Sequence, residues 1–382
     1  MRSLMLHRFY AYGLLCRLGG CFFIQKFCKK SLENTKVEWK SLYTIYSASC
    51  VLFTFGFFIW FETAFLIKEA DTASAFSGLF SETLSLTLHA VVSSKILLNF
   101  ISMATGSGKL LDFFRKAAEF EESTGFPPDK SGIRTPGGSG WSILRRTLVL
   151  VALAATYAVF MYLYVTHFAN AMPPRLALAS KVLGFIAAAI LFLYDSLCYV
   201  VLRCCTGVLI DYIHAQLVTF EDGCKCRVPV PELPHASRQL ESVRLNVCSI
   251  RELTKSLNNI WKTSLAGTCA GIILVNCVVL YTMFHDGVFK RQVWITLSYS
   301  VYSSLAFVEL VYISQALMDQ AQKLKNAAKA IRTSDAASHY AQELRYLHES
   351  IDPKGMCLSG GGFFRLSKSL LVSVSVSRVV SE

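Results

Sequence analysis

Along this chain, loops crowded with Lys and Arg alternate with loops nearly free of them, and between them lie six runs apolar enough to cross a bilayer. A hydrocarbon core about 30 Å thick takes about 20 mostly apolar helical residues to span, because it holds no water to satisfy backbone polar groups. Ser41–Phe61, Thr147–Thr166 and Thr263–Phe284 carry no formal charge; Val182–Leu202 is interrupted by Asp195, and Trp294–Leu317 holds Glu309. Ser74–Met103 is the weakest span, with Glu82, His89 and Lys95 inside it, and it is accepted because the loop pattern requires a crossing there. With 53% hydrophobic and 17% charged residues, a 382-residue soluble domain is hard to sustain.

The alternation gives the orientation. Counting from the segment before Ser41 and then every second loop, 29 Lys and Arg residues fall on one side, against Lys68, Arg175, Lys181, Lys290 and Arg291 on the other. Basic loops are retained on the cytoplasmic side, so the amino terminus is cytoplasmic and a seventh crossing puts the carboxyl terminus outside. A G-protein-coupled receptor has the reverse orientation, and neither an Asp-Arg-Tyr after the third span nor an Asn-Pro-x-x-Tyr is found. The net charge of +12 is explained by loops facing anionic lipid, which leaves nucleic acid with no claim as a partner.

The expected architecture is all-α and polytopic. Residues 1–40 form a cytoplasmic amino-terminal segment, 41–317 six spans with long cytoplasmic helical loops, 318–358 a cytoplasmic helix, and 359–382 an incomplete seventh span. Leu14, Leu15, Phe22, Phe23 and Ile24 resemble a signal sequence, but Arg17 and a Gly-Gly pair break the run; an amphipathic segment on the inner membrane surface is expected instead. Leu240, Val243, Val247, Ile250, Leu253, Leu257 and Ile260 recur at steps of three and four, so one helix enters the fifth span without a break. Tyr340, Leu344, Leu347 and Ile351 make a second stripe, and Leu110, Leu111, Phe113 and Phe114 a third. Such seams want partners, within the chain or in a second copy.

No signature of catalysis is found: there is no phosphate-binding Gly-rich loop, no His-Glu-x-x-His and no nucleophile elbow, so an enzyme is not expected. No cofactor or metal is expected either, since Cys224 and Cys226, near His214 and His235, lack the second pair that a zinc site needs. The stretches Gly125–Gly140 and Val228–Pro234 read as loops. A transporter would show paired inverted repeats, and none is visible.

An inverted seven-span chain with a long helix entering the fifth span, ending in Gly361-Gly362-Phe363-Phe364-Arg365-Leu366-Ser367-Lys368-Ser369-Leu370-Leu371, resembles the arthropod gustatory receptor family. The resemblance implies a ligand-gated cation channel of the plasma membrane of sensory neurons, assembled as a homo- or hetero-tetramer around a pore lined by the last helix. It implies a small-molecule tastant bound in a cavity opening outward among the second to sixth spans. The metabotropic receptor remains the alternative. In the family the last span ends in Thr-Tyr, five apolar residues and Gln-Phe, and nothing after Leu371 matches; a truncated or misjoined product is expected in preference to a short last helix.

Depth within the spans then nominates residues. Glu82, Tyr164, Tyr281, Trp294 and Tyr299 are the candidate ligand contacts, with Tyr162, Phe185, Met283 and Tyr302 at similar depth; Leu370, Leu371 and Val374 are the candidate pore-lining positions. Aromatic rings with a polar tip suit small-molecule recognition, although they also populate the interfacial belt of membrane proteins. Asp195 lies deeper, while Lys95 and Glu309 are expected to snorkel or to pair at headgroup level. With this topology, an epitope tag fused before Met1 is expected to be reached by antibody only after permeabilisation. Labelling of intact cells would reverse the orientation.

Overall fold

In a computed structural model, residues 3–27, 32–70, 77–126, 140–169, 174–225, 233–286, 291–332 and 338–370 are described. Their chain order is α1 (Leu4–Leu18), β1 (Ile24–Gln25), β2 (Lys36–Val37), α2 (Leu42–Ala70), α3 (Ser77–Ser123), α4 (Gly140–Ala169), α5 (Pro174–Lys225), α6 (Leu233–Asp286), α7 (Arg291–Arg332) and α8 (Ser338–Ser350). The six expected spans fall on α2 to α7. Thr87–Ser123, Lys181–Gly223, Ser237–Phe284 and Val293–Ile331 are each long and apolar enough to cross a membrane, and α2 and α4 contribute the shorter apolar stretches Leu42–Phe57 and Val151–Leu163.

Four of these helices outrun any bilayer. With 47, 52, 54 and 42 residues, α3, α5, α6 and α7 extend to about 63–81 Å at 1.5 Å per residue. The surplus lies on the side that the basic loops assign to the cytoplasm, where the seams close on one another. All seven residues of the α6 stripe are buried, as are Leu110, Leu111, Phe113 and Phe114 on α3 and Leu344 and Leu347 on α8. The seams therefore find their partners within the chain. The extension of α5, carrying buried Cys205, Leu209, Tyr212, Ile213, Leu217 and Phe220, was not foreseen, whereas that of α7 through Ala321, Leu324 and Ala328 takes up the first part of the helix expected over 318–358, continuous with the sixth span and separate from α8. These two supply the opposing faces.

Inside lipid there is no hydrophobic drive between helices, so close approach at small residues matters more. At Gly267 of α6 an added Cβ would come within 2.7 Å of Leu98 inside the span, and at Gly106 of α3, just past the span, within 2.9 Å of Ile260, so α3 and α6 pack backbone to side chain at two levels. The most extensive helix contact, α3 against α6, is built on these levels, whereas α2 rests mainly on α5.

The amino-terminal segment departs from expectation. Instead of lying only on the membrane surface, α1 buries Met5, Leu6, Phe9 and Cys16 against the bundle, leaving Leu14, Leu15 and Leu18 exposed on its other side. Its contacts are with α5 and α3. A buried carboxylate explains the docking: Glu121 of α3 accepts from the backbone N–H of Leu4 at 2.8 Å and of Met5 at 3.0 Å, while Ser3 accepts from Leu6. Three of the four otherwise unsatisfied donors of the helix start are thereby met, and the negative charge suits the helix dipole. The Tyr212 hydroxyl also donates to Glu121. Burial and then the neighbouring Glu121 charge push the Tyr212 phenol well above its ordinary value, so it stays a donor. Arg8 and Asp211 add an ion pair at 2.6 Å.

Past α8 the chain forms a 3₁₀ turn at Pro353–Met356 and then a small hairpin, pinned by a bridge between Ser359 and Arg365. Gly361 and Gly362 have φ of +64° and +86°, a region that side-chain-bearing residues rarely adopt, so the paired glycines of the motif make the reversal possible. Helical geometry resumes at Lys368–Leu370. Cys226, the loop residues 127–139 and 226–232, and the pore candidates Leu371 and Val374 lie outside the described residues, while Leu233 and Pro234, expected in a loop, open α6. Replacing Glu121 by Ala orphans the Leu4 and Met5 N–H groups and the Tyr212 hydroxyl. A loss of about 1–3 kcal/mol is expected, read as faster hydrogen exchange across residues 4–18; unchanged protection there would remove the carboxylate from this role.

Candidate functional site

Asp195 on α5 is flanked by apolar turns, and an isolated carboxylate cannot remain ionised there. Its partner is Lys95 of α3: Nζ lies 2.8 Å from Oδ1, with the two side chains 8% and 3% exposed. Lys95 therefore does not snorkel to the headgroups, and the reason is an opposite charge at its own depth. Tyr299 of α7 completes the group, its hydroxyl donating to Asp195 Oδ1 at 3.3 Å and accepting from Lys95 Nζ at 3.3 Å. Glu309, expected near the inner membrane surface, faces Arg203 of α5 at 3.6 Å.

A turn further along α3, Asn99 ties the same stretch of α3 and α5 to α6. Its side-chain N–H donates to the carbonyls of Tyr194 at 3.1 Å and Asp195 at 2.8 Å, and Ser264 of α6 donates to its carbonyl oxygen. Buried ion pairs of this kind add little net stability, since desolvation offsets the attraction, but removing one partner is severe.

On the side of the ion pair toward Phe192 stand five aromatic rings from three helices. Tyr157 and Phe160 of α4, Phe192 of α5, and Tyr299 and Tyr302 of α7 form a continuous cluster. Ring centroids are 3.8 Å apart for Tyr157 and Phe192, 5.2 Å for Tyr157 and Tyr302, and 5.4 Å for Phe160 and Tyr299. The Tyr157 hydroxyl donates to the Ala188 carbonyl at 3.2 Å, holding its ring across the α4–α5 gap. On the cytoplasmic side of the pair lies a small cavity bounded by α3, α5, α6 and α7. Rings above and charges below can seat a small molecule with an apolar body and a polar end.

Of the nominated contacts, Tyr299 is at the centre of this site, and Tyr302 beside it. Tyr281 and Trp294 are 36% and 49% exposed, on the outside of the bundle. The side chains of Glu82 and Tyr164 lie outside the described residues. Tyr157, Phe160 and Phe192 were missed, although the three-residue step between Tyr157 and Phe160 and the place of Phe192 one turn before Asp195 were readable. Leu370, the pore candidate that is described, is partly buried against the core where the last helix begins.

The 7tm chemosensory receptor family model matches residues 6–378. No curated protein sequence matches. Among solved structures, the insect olfactory receptor OR5 from Machilis hrabei in complex with eugenol superposes with a TM-score of 0.69 at 12% identity, covering 97% of this chain and 95% of that one. A second structure of the same olfactory receptor gives 0.62 at 14% identity with the same coverage. The similarity at these identities is one of fold.

Lys95→Met alone leaves Asp195 buried without its counter-charge, and a loss of about 3–5 kcal/mol is expected. The double change Lys95→Met with Asp195→Leu is expected to recover most of it. Thermal melting of the detergent-purified protein measures both, and a double variant no better than the single one would show that the pair is not coupled.

Proposed function

The chain belongs to the 7tm chemosensory receptor family, and from that membership we propose that it is a gustatory-type receptor subunit whose cation pore opens when a small molecule occupies the ring cluster. The observation that carries the reading is the cluster itself: five rings from three spans, with Tyr299 bonded to a buried ion pair, in the interior of the bundle. The Machilis hrabei olfactory receptor, similar in fold, was solved in complex with a small molecule, eugenol. The Gly-Phe-Phe and Ser-Leu-Leu elements at Gly362–Phe364 and Ser369–Leu371 favour the gustatory branch over the olfactory one. Plasma-membrane placement, and assembly into tetramers about the last helix, follow from the same resemblance.

The route from seat to pore runs along α7. Tyr299 and Tyr302 lie in the cluster, and about 18 Å further along the same helix Ser314 accepts from the backbone N–H of Leu358 at 2.9 Å, at the base of the hairpin. Gln315 accepts from the backbone of Lys368 at 3.2 Å, where the last helix starts. On α6, Asn258 grips the other side of the hairpin, donating to the Cys357 carbonyl at 2.9 Å and accepting from Ser359 at 3.2 Å. A ligand that favours one position of α7 over another biases the last helix through these bonds, as differential affinity for two states requires.

Expression in cells without endogenous chemoreceptors, with a panel of sugars, bitter compounds and phenols, is expected to give cation current with at least one of them. Tyr302→Ala is expected to lower sensitivity to that compound about tenfold, or about 1.4 kcal/mol, at unchanged surface level. A response that depends on intracellular GTP would favour the metabotropic reading, and one insensitive to Tyr302→Ala would remove the ring cluster as the seat.

A further inference from the structure

The cavity on the cytoplasmic side of the ion pair has a chemical signature of its own. Tyr199 of α5, Thr268 of α6 and Asp195 are each more than nine-tenths buried and line it. The Tyr199 hydroxyl, the Thr268 hydroxyl and Asp195 Oδ2 make no hydrogen bond with any described group. Three polar atoms from two helices thus border one small space, although buried polar groups are nearly always paired. Ala306, Phe307 and Leu310 of α7 form the apolar remainder of its wall.

We propose that this cavity is a subsite for a hydroxyl group, alcohol or phenol, on a neutral ligand whose apolar body lies in the ring cluster. The inference rests on the cluster being the ligand seat and adds the chemical class. Size argues for a substituent and against a whole molecule: about 20 Å³ is open to the centres of water-sized groups, whereas pockets for complete small ligands run to about 300–1,000 Å³. Tyr302 belongs to both the cluster and the cavity wall, so body and hydroxyl occupy adjoining spaces.

Charge selects the class. Asp195 is already neutralised by Lys95 at 2.8 Å, so an ammonium group would bring an uncompensated positive charge into a region of low dielectric. A carboxylate would meet the same penalty with the opposite sign. A neutral hydroxyl suits the three atoms as they stand: it donates to Asp195 Oδ2 and accepts from Tyr199 or Thr268. A hydrocarbon of equal size leaves all three unmet, which is how sites built to bond a hydroxyl reject analogues without one.

The test uses the full chain in lipid nanodiscs and two probes with equal numbers of heavy atoms, 3-phenylpropan-1-ol and n-butylbenzene, with Kd taken from the concentration dependence of thermal melting. The alcohol is expected to bind roughly tenfold more tightly than the hydrocarbon. In the Tyr199→Phe, Thr268→Val double variant the preference is expected to fall to roughly threefold, the part carried by Asp195 Oδ2, with the hydrocarbon's Kd unchanged. The two single variants, each retaining part of the preference, give the same reading if the double variant does not fold. Equal binding to the unaltered protein, or a preference undiminished by removal of both hydroxyls, overturns the subsite. Failure of both probes to bind, or affinity for the alcohol indifferent to Phe192→Ala, overturns the ring cluster as the seat and the subsite with it.

Discussion

A lysine and an aspartate 2.8 Å apart set the depth at which α3, α5 and α7 meet. Neither is tolerable alone in lipid, so sliding any of the three helices by a turn would expose a charge to hydrocarbon or tear it from its partner. The energy of the pair is less important than its selectivity for one register. Asn99 reinforces that register from α3, and Ser264 extends it to α6, so four helices are fixed at one level by polar groups. The rings lie on one side of this level and the cavity on the other, which places both in the same wall of side chains.

The two halves of the molecule are held by different forces. Within the membrane, small residues such as Gly267 and a few polar bonds do the packing, because lipid offers helices no hydrophobic reason to associate. On the cytoplasmic side water restores that reason, and the stripes of α3, α5, α6 and α7 bury a continuous apolar core. Each long helix belongs to both halves. The cytoplasmic core can therefore hold the lower ends firmly while the upper ends, packed more lightly, respond to what occupies the space between them. Glu121 extends the firm half to α1 by capping its first turn.

Elements with a simple period were legible in the sequence, while arrangements that depend on two distant residues were not. The α6 stripe from Leu240 to Ile260 could be read because one face of one helix carries it, and every member is buried. The α5 extension escaped because Arg203 and the Cys204-Cys205 pair follow the span directly and made its end look like a loop, although no helix breaker comes before Gly223 apart from Gly207. Lys95 and Asp195 were each noticed as costly, yet 100 residues separate them and nothing local shows that α3 and α5 bring them to one depth. Opposite charges in two otherwise apolar spans were the available signal. Tyr281 and Trp294 were nominated by depth alone, and depth says nothing about which side of a helix faces inward.

The hairpin shows how a motif with no chemistry of its own acquires a role. Gly361 and Gly362 supply backbone angles for a reversal, and Phe364 closes it by accepting from Gly360 and packing its ring where a Cβ on Gly360 would lie. The reversal is too short to flex independently, and it is bonded to α6 through Asn258 and to α7 through Ser314. Two helices that both border the ligand region thus hold the start of the last helix from opposite sides. Relative motion of α6 and α7 would strain those bonds at the hairpin. Glycines, bulky rings and small polar residues thus occur together over few positions: the first make the turn, the second pack against it, and the third lie where helical geometry resumes at Lys368–Leu370.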